Sequence, residues 1–184
     1  MAKFCGVGVG VGVICLDERG RFLIGRRKGS HGAGTFALPG GHLELNEDWE
    51  TCARREVLEE TGLELVPEKM QYVYTANSCM PNDKHYITIF MSGRIHPGST
   101  PANLEPDKCF GWDFHSWADL RASGMPMFMP LEALLKSSPH APWDAANASD
   151  GTENSGSTTR GYMLAALAGA AAALAVASLA RGRR

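Results

Sequence analysis

The chain has 184 residues, is 44% hydrophobic, and sets 18 Lys and Arg against 20 Asp and Glu for a formal net charge of −2. That length supports one core of ordinary size, and the near-neutral balance argues against binding of nucleic acid polymers as the main task. Five cysteines, at positions 5, 15, 52, 79 and 109, are odd in number and show no CxxC spacing, which fits scattered reduced thiols of a cytosolic-type compartment rather than a disulfide framework or a zinc site.

The first residues, Met1-Ala2-Lys3-Phe4, lack a signal-peptide pattern and run straight into a strand. Residues 6–13 alternate Gly and Val, which puts Val7, Val9, Val11 and Val13 on one face and Gly6, Gly8, Gly10 and Gly12 on the other. Glycine weakens a strand, so four on one face imply the close approach of something, either a packed helix or a flat ligand. A turn at Asp17-Glu18-Arg19-Gly20 leads into a strand over 21–26. Arg26, Arg27 and Lys28 then cluster ahead of a Gly- and Ser-rich loop over 29–34. The cluster reads as ordinary surface charge or, with Arg27 as the candidate, as a grip on phosphate. A short strand over 36–38 and a Pro39-Gly40-Gly41 turn follow.

The next stretch, 41–63, predicts a helix with Asn46 as N-cap, acids at Glu47, Asp48 and Glu50 near its positive end, and Gly62 as the stop. Trp49, Cys52 and Ala53 share a stripe that runs on into Glu56, Glu59 and Glu60, all within an arc of roughly 100°. Like charges at these spacings destabilise a helix by about 0.2–0.5 kcal/mol per pair. A hard divalent cation reverses the sign, because it takes oxygen ligands and shares them with phosphates. The alternative, a solvated acidic face, suits Glu59-Glu60 alone better than it suits a stripe shared with Trp49 and Cys52.

Strands are expected at 71–77, 85–93 and 108–115, and short helices at 117–121 and 131–136. Strands around one long helix, with further helices later, give an α/β fold in which a mixed sheet is sandwiched between helices. Residues 1–143 form this domain. Residues 144–160 shift to Ala, Asn, Ser, Thr, Gly and Asp and read as a flexible linker. In the final segment, 161–184, a 19-residue uncharged run containing ten Ala precedes Arg181-Gly182-Arg183-Arg184. The length suits a membrane-spanning helix. The reading favours a tail anchor in an organelle membrane, with 1–143 facing the cytosol, over an Ala-rich helix that packs elsewhere or lies at a membrane surface.

Gly41, five residues, Glu47, seven residues, Arg55-Glu56-Val57, one residue, Glu59-Glu60, one residue, Gly62-Leu63 matches every fixed position of the Nudix hydrolase signature, a family the chain resembles from about residue 6 to about residue 136. Gly25-Arg26-Arg27-Lys28-Gly29-Ser30, Phe36-Ala37-Leu38-Pro39-Gly40-Gly41-His42-Leu43-Glu44 and Asn103-Leu104-Glu105-Pro106-Asp107-Lys108-Cys109 resemble the subgroup of plant nucleotide-sanitising enzymes and the human thiopurine-nucleotide diphosphatase. The resemblance implies the Nudix fold and Mg²⁺-dependent (or Mn²⁺-dependent) hydrolysis of a nucleoside triphosphate to monophosphate and pyrophosphate, with oxidised purine nucleotides such as 8-oxo-dGTP as candidate substrates. It implies Glu56 and Glu60 as metal ligands, Glu59 as ligand or water activator, a ligating carbonyl at Gly40, and Arg55 as the group that orients the glutamates, with Glu47 structural. Glu105 completes the metal shell or acts as base, or is an exposed loop acid. Arg27, Leu38, Gly40, His42, Pro130 and Leu131 are the implied substrate contacts. The segment Phe128-Met129-Pro130-Leu131 closes over the base or is an apolar plug, and Met129 stands where the subgroup often has Trp. A diphosphate hydrolase for a non-nucleotide such as geranyl diphosphate, with Met125, Met127, Phe128 and Met129 lining its pocket, is the second reading. A membrane-tethered binding module without activity is the third. No dimerisation signal is legible, so a homodimer stays open.

Overall fold

One strand, β1 (Gly8–Leu16), organises the sheet. It runs parallel to β6 (Lys84–Arg94) along its whole length, from Gly8 opposite Tyr86 to Leu16 opposite Arg94. Along its other edge the partner changes. β4 (Gly40–His42) pairs with Gly10, Val11 and Gly12, whereas β2 (Phe22–Arg27) pairs only at Leu16 with Phe22. In the fork between them, the Val13 N–H donates to the Pro39 carbonyl at 2.8 Å. β2 carries β3 (Phe36–Ala37) and β7 (Cys109–His115), and β5 (Gln71–Met80) lies beyond β6, which completes seven strands. The structure is a computed structural model and describes residues 6–29, 32–81 and 83–143. The expected linker and Ala-rich tail lie outside these residues. Among the described residues no helix is long and apolar enough to cross a membrane.

Alternation along β1 divides the core in two. Val11, Val13 and Cys15 face Cys52, Ala53 and Val57 of α1 (Trp49–Thr61). Ile14 and Leu16 face the other way, with Trp117 and Leu120 of α2 (Trp117–Ala122) and Leu131, Leu134 and Leu135 of α3 (Met129–Ser137). There Phe22, Trp117 and Trp143 form a ring cluster with centroids 5.1–5.9 Å apart. Each fully buried aliphatic side chain in these layers contributes about 1.5–3 kcal/mol. The expected sandwich of a mixed sheet between helices is therefore the architecture observed.

One local expectation is corrected and one open choice is narrowed. Asp48, not Asn46, caps α1: its carboxylate accepts from the Thr51 N–H at 2.7 Å. Asn46 has φ 64° and belongs to the preceding turn. The glycine face of β1 borders an open cavity at Gly10 and Gly12, the space the flat-ligand reading expects, rather than a packed helix. Rings of the neighbouring strand flank the same face: a Cβ at Gly8 would lie 2.4 Å from Tyr86 and one at Gly12 would lie 2.8 Å from Phe90.

Candidate active site

The last two turns of α1 carry the acids, and both helix ends are well defined. Gly62 adopts φ 69°, and its N–H closes the helix on the Leu58 carbonyl, the left-handed stop that glycine favours. Val57 and Thr61 are buried against the sheet, which fixes the rotation of the helix. That rotation separates the three glutamates. Glu56 is nearly covered, with 13% side-chain exposure, whereas Glu59 is 54% exposed. Glu60 turns toward β4, and its Oε2 accepts from the Gly40 N–H at 3.0 Å. Trp49, the first residue of the expected core stripe, is 45% exposed and pairs with Tyr72 at the surface.

Arg55 ties the acids together. Its guanidinium donates to both Glu47 oxygens at 2.9 Å, to Glu56 Oε1 at 2.8 Å, to Glu59 Oε2 at 3.4 Å and to the His42 carbonyl at 3.1 Å. The Arg55 hydrogen bonds hold the Glu47 carboxyl down to about 2. Glu47 in turn is the main cause that raises the Arg55 pKa above its ordinary value. Glu60 is perturbed the other way. Burial pushes its carboxyl up to about 7; the Gly40 N–H and the Arg27 charge pull it down, while Glu56 and Glu105 push it further up. Burial likewise raises Cys15, and it pushes Cys52 up to about 12. Both are therefore neutral packing groups, and Cys15, Cys52, Cys79 and Cys109 are all free thiols.

Glycines let the backbone meet these acids. Gly40 has φ 145°, and a Cβ there would strike the Val11 carbonyl at 2.1 Å. At Gly41 the space a Cβ needs is taken by the Glu56 carboxylate, 2.2 Å from the ideal position.

The loop after β6 brings in Glu105. Its Leu104 N–H donates to the Glu60 carbonyl at 3.1 Å, and Trp112 of β7 donates to the same oxygen at 3.3 Å. Glu105 Oε1 takes Lys108 at 2.8 Å, whereas Oε2 is buried with no hydrogen-bond partner.

Beside the acids lies an open cavity of about 160 Å³. Every expected substrate contact lines it: Arg27, Leu38, Gly40, His42, Pro130 and Leu131. Gly40 and Gly41 belong both to its wall and to the glutamate contacts, so acids and cavity are two sides of one turn. Arg27, half-buried in that wall, stacks its guanidinium 4.5 Å from the Phe128 ring centroid. Burial lowers its pKa and the Glu60 charge raises it. Tyr86, Thr88 and Phe90 of β6 also line the cavity and were not anticipated. Their spacing of two within a strand, which places them on one face, was the available signal.

The donor set fits a hard divalent cation: carboxylates, a carbonyl at Gly40, and a buried Glu105 oxygen with nothing to accept from. The acids are not gathered into a preformed cage. Among the described residues no three His, Cys, Asp or Glu side chains sit close enough together to hold an ion. Glu56 and Glu59 lean on Arg55 and Glu60 on Gly40, as mutually repelling carboxylates do when cationic and N–H partners are at hand.

A model of the NUDIX domain matches residues 6–144. The m7GpppN-mRNA hydrolase NUDT17 of Danio rerio is 40% identical over 116 residues, covering 55% of this chain and 38% of that protein. A MutT-like protein of Streptomyces ambofaciens is 44% identical over 66 residues, covering 36% and 41%. The oxidized purine nucleoside triphosphate hydrolase of Danio rerio is 41% identical over 51 residues, covering 28% and 33%. The chain thus spans from a third to about two fifths of these relatives' lengths. In three dimensions it is similar to the MutT NUDIX hydrolase of Burkholderia pseudomallei, with TM-score 0.63 and 24% identity over 71% of this chain and 97% of that one. The MutT protein of Methanosarcina mazei Go1 is comparable, with TM-score 0.63 and 20% identity over 79% and 99%. These likenesses carry the fold. Taken with the domain match across most of its length, they mean that the chain belongs to the Nudix hydrolase family.

Proposed function

We propose that the protein hydrolyses a phosphoanhydride in a nucleoside triphosphate, releasing the monophosphate and pyrophosphate, with Mg²⁺ or Mn²⁺ as cofactor. The single observation that carries this reading is the shared turn: Gly40 and Gly41 touch Glu60 and Glu56 on one side and line a cavity on the other. A phosphate chain running from a base in that cavity passes the acids. A cavity of about 150 Å³ admits a benzene-sized ring, so one of about 160 Å³, open at its mouth, suits a flat heterocycle.

Glu56, Glu60, Glu105 and the Gly40 carbonyl are the proposed metal holders. A divalent cation bound there would neutralise charge on the phosphate oxygens and make bound water more acidic. Arg55 keeps the carboxylates apart and oriented through charge-assisted hydrogen bonds. Glu59, the most exposed of the three helix acids, has the freedom to take the proton from the attacking water. Arg27 lies on the cavity wall, within electrostatic reach of Glu60, and takes a phosphate oxygen. Oxidised purines as the preferred bases are part of the proposal, supported by the limited identity to the zebrafish purine hydrolase.

The prenyl diphosphate alternative has less support. Of Met125, Met127, Phe128 and Met129, only Phe128 lines the cavity. The test is pyrophosphate release by the full chain on a panel of normal and oxidised nucleotides and geranyl diphosphate, with Mg²⁺ or with chelator. Glu60→Gln is the control. Metal-dependent release from nucleotides, lost in the variant, is the expected result. Equal activity in the variant, or preference for the prenyl substrate, would overturn the assignment.

A further inference from the structure

Beside the acids stands a cation that the reading above leaves without a task. Lys108 lies in the loop that brings Glu105 to the site, and the loop is pinned from two sides. Ala102 and Leu104 N–H groups donate to the Thr61 and Glu60 carbonyls at the end of α1, at 2.8 and 3.1 Å. On the β2 side, Lys28 Nζ donates to the Pro106 carbonyl at 2.6 Å and the Lys28 N–H donates to the Lys108 carbonyl at 2.7 Å. Within the loop, the Lys108 and Cys109 N–H groups both donate to the Glu105 carbonyl, at 2.9 and 3.1 Å. The backbone of Lys108 is thus fixed, while its side chain is 71% exposed.

The other cations near the acids are already committed. Arg55 serves Glu47, Glu56 and Glu59. Arg27 is half-buried in the cavity wall against Phe128. Lys108 holds one exposed ion pair, Nζ to Glu105 Oε1 at 2.8 Å, and such pairs are worth little, so exchange to a stronger anion is easy. Its partner Glu105 sits on the loop that Leu104 ties to the Glu60 carbonyl, so Lys108 stands on the acid side of the site, and it does not line the base cavity.

We propose that Lys108 binds the terminal diphosphate of the substrate, leaving Glu105 for a phosphate oxygen when the polyphosphate arrives. This rests on the phosphoanhydride reading above. Lys108 takes the part of the substrate that departs as pyrophosphate, and the part that stays with the nucleoside is left to Arg27.

The experiment measures binding and turnover separately in the full-length protein. Inorganic pyrophosphate and a nucleoside monophosphate are titrated, with Mg²⁺ present, into wild type, Lys108→Ala, Lys108→Arg and Lys108→Gln, with thermal unfolding as the folding check. Loss of one charge-assisted hydrogen bond predicts pyrophosphate affinity about tenfold weaker in Lys108→Ala and Lys108→Gln. Lys108→Arg is expected to restore most of it, with monophosphate affinity within about twofold throughout. Unchanged pyrophosphate affinity in Lys108→Ala, no pyrophosphate binding by wild type, or parallel losses for both ligands would each overturn the proposal. Intact Lys108-dependent pyrophosphate binding in a wild type that hydrolyses no nucleotide would instead overturn the phosphoanhydride reading and leave the site standing.

Discussion

Adjacent glycines at 40 and 41 give the sharpest separation of fold from chemistry. A methyl group at Gly40 meets only backbone: the Val11 carbonyl at 2.1 Å and Gly12 Cα at 3.0 Å, on a residue with φ 145°. Neither neighbour can move without opening the pairing of β1 with β4. Strain at such a φ is worth about 1–3 kcal/mol and overpacking about 1–3 kcal/mol more. Gly40→Ala should therefore lose roughly 3–5 kcal/mol and melt about 10 °C or more below wild type. At Gly41 the nearest atoms are the carboxylate of Glu56, the far end of a flexible side chain, at 2.2–2.5 Å, and the backbone there does not adopt a positive φ. That carboxylate swings away. Arg55 keeps Glu47 and the His42 carbonyl, so stability should fall by only about 1 kcal/mol. Turnover should fall on the order of a hundredfold, because an acid displaced by about 1 Å no longer meets its ligand. Thermal unfolding and pyrophosphate release on both variants decide the matter. A Gly41→Ala protein as unstable as Gly40→Ala, or a stable Gly41→Ala protein with full activity, would refute this placement of Glu56.

Glu60→Gln should alter the pH dependence of the chelator-treated protein. The folded-state pKa is raised to about 7 from 4.5, so the neutral form favours folding, and this contribution is present below about pH 4.5 and lost as pH rises through 7. The variant should flatten that decline, on the order of 3 kcal/mol, in denaturant titrations at pH 4.5 and 8. Glu47→Gln should act at the acid end. Arg55 holds Glu47 at about 2, so its stabilisation is full above about pH 4.5 and is lost as pH falls toward 2. The variant should be less stable at neutral pH and lose less on acidification, as read by thermal unfolding across that range. Leu134→Ala, at a fully buried position in the α3 layer, should cost about 2–5 kcal/mol while leaving KM unchanged, since the residue does not line the cavity.

The site was legible where one local element carries the chemistry. Arg55, Glu56, Glu59 and Glu60 lie within two turns of a single helix, so spacing alone placed them together. Helical period did not reveal how the face divides. The burial of Val57 and Thr61 sets the rotation that covers Glu56 and leaves Glu59 in solvent. Asn46 was a reasonable cap by type, but Asp48 is the residue three before the Thr51 N–H it accepts from. The glycine run did signal a close approach. Its source, Tyr86 and Phe90, is a strand more than seventy residues away, paired in parallel, and no local pattern predicts which strand becomes that neighbour. Glu105 and Lys108 reach the acids only because the loop is tied to both Glu60 and Lys28, a contact of long sequence separation that composition does not encode.

The proposed divalent cation lies beside the cavity, held by Glu56, Glu60 and Glu105. Electron paramagnetic resonance of Mn²⁺ titrated into the full chain reads this directly. Wild type should bind Mn²⁺ with saturable loss of the free-ion signal, and Glu56→Gln and Glu60→Gln should each weaken that binding by about ten- to a hundredfold. Equal Mn²⁺ binding by all three proteins, or none by wild type even with a nucleotide present, would contradict it.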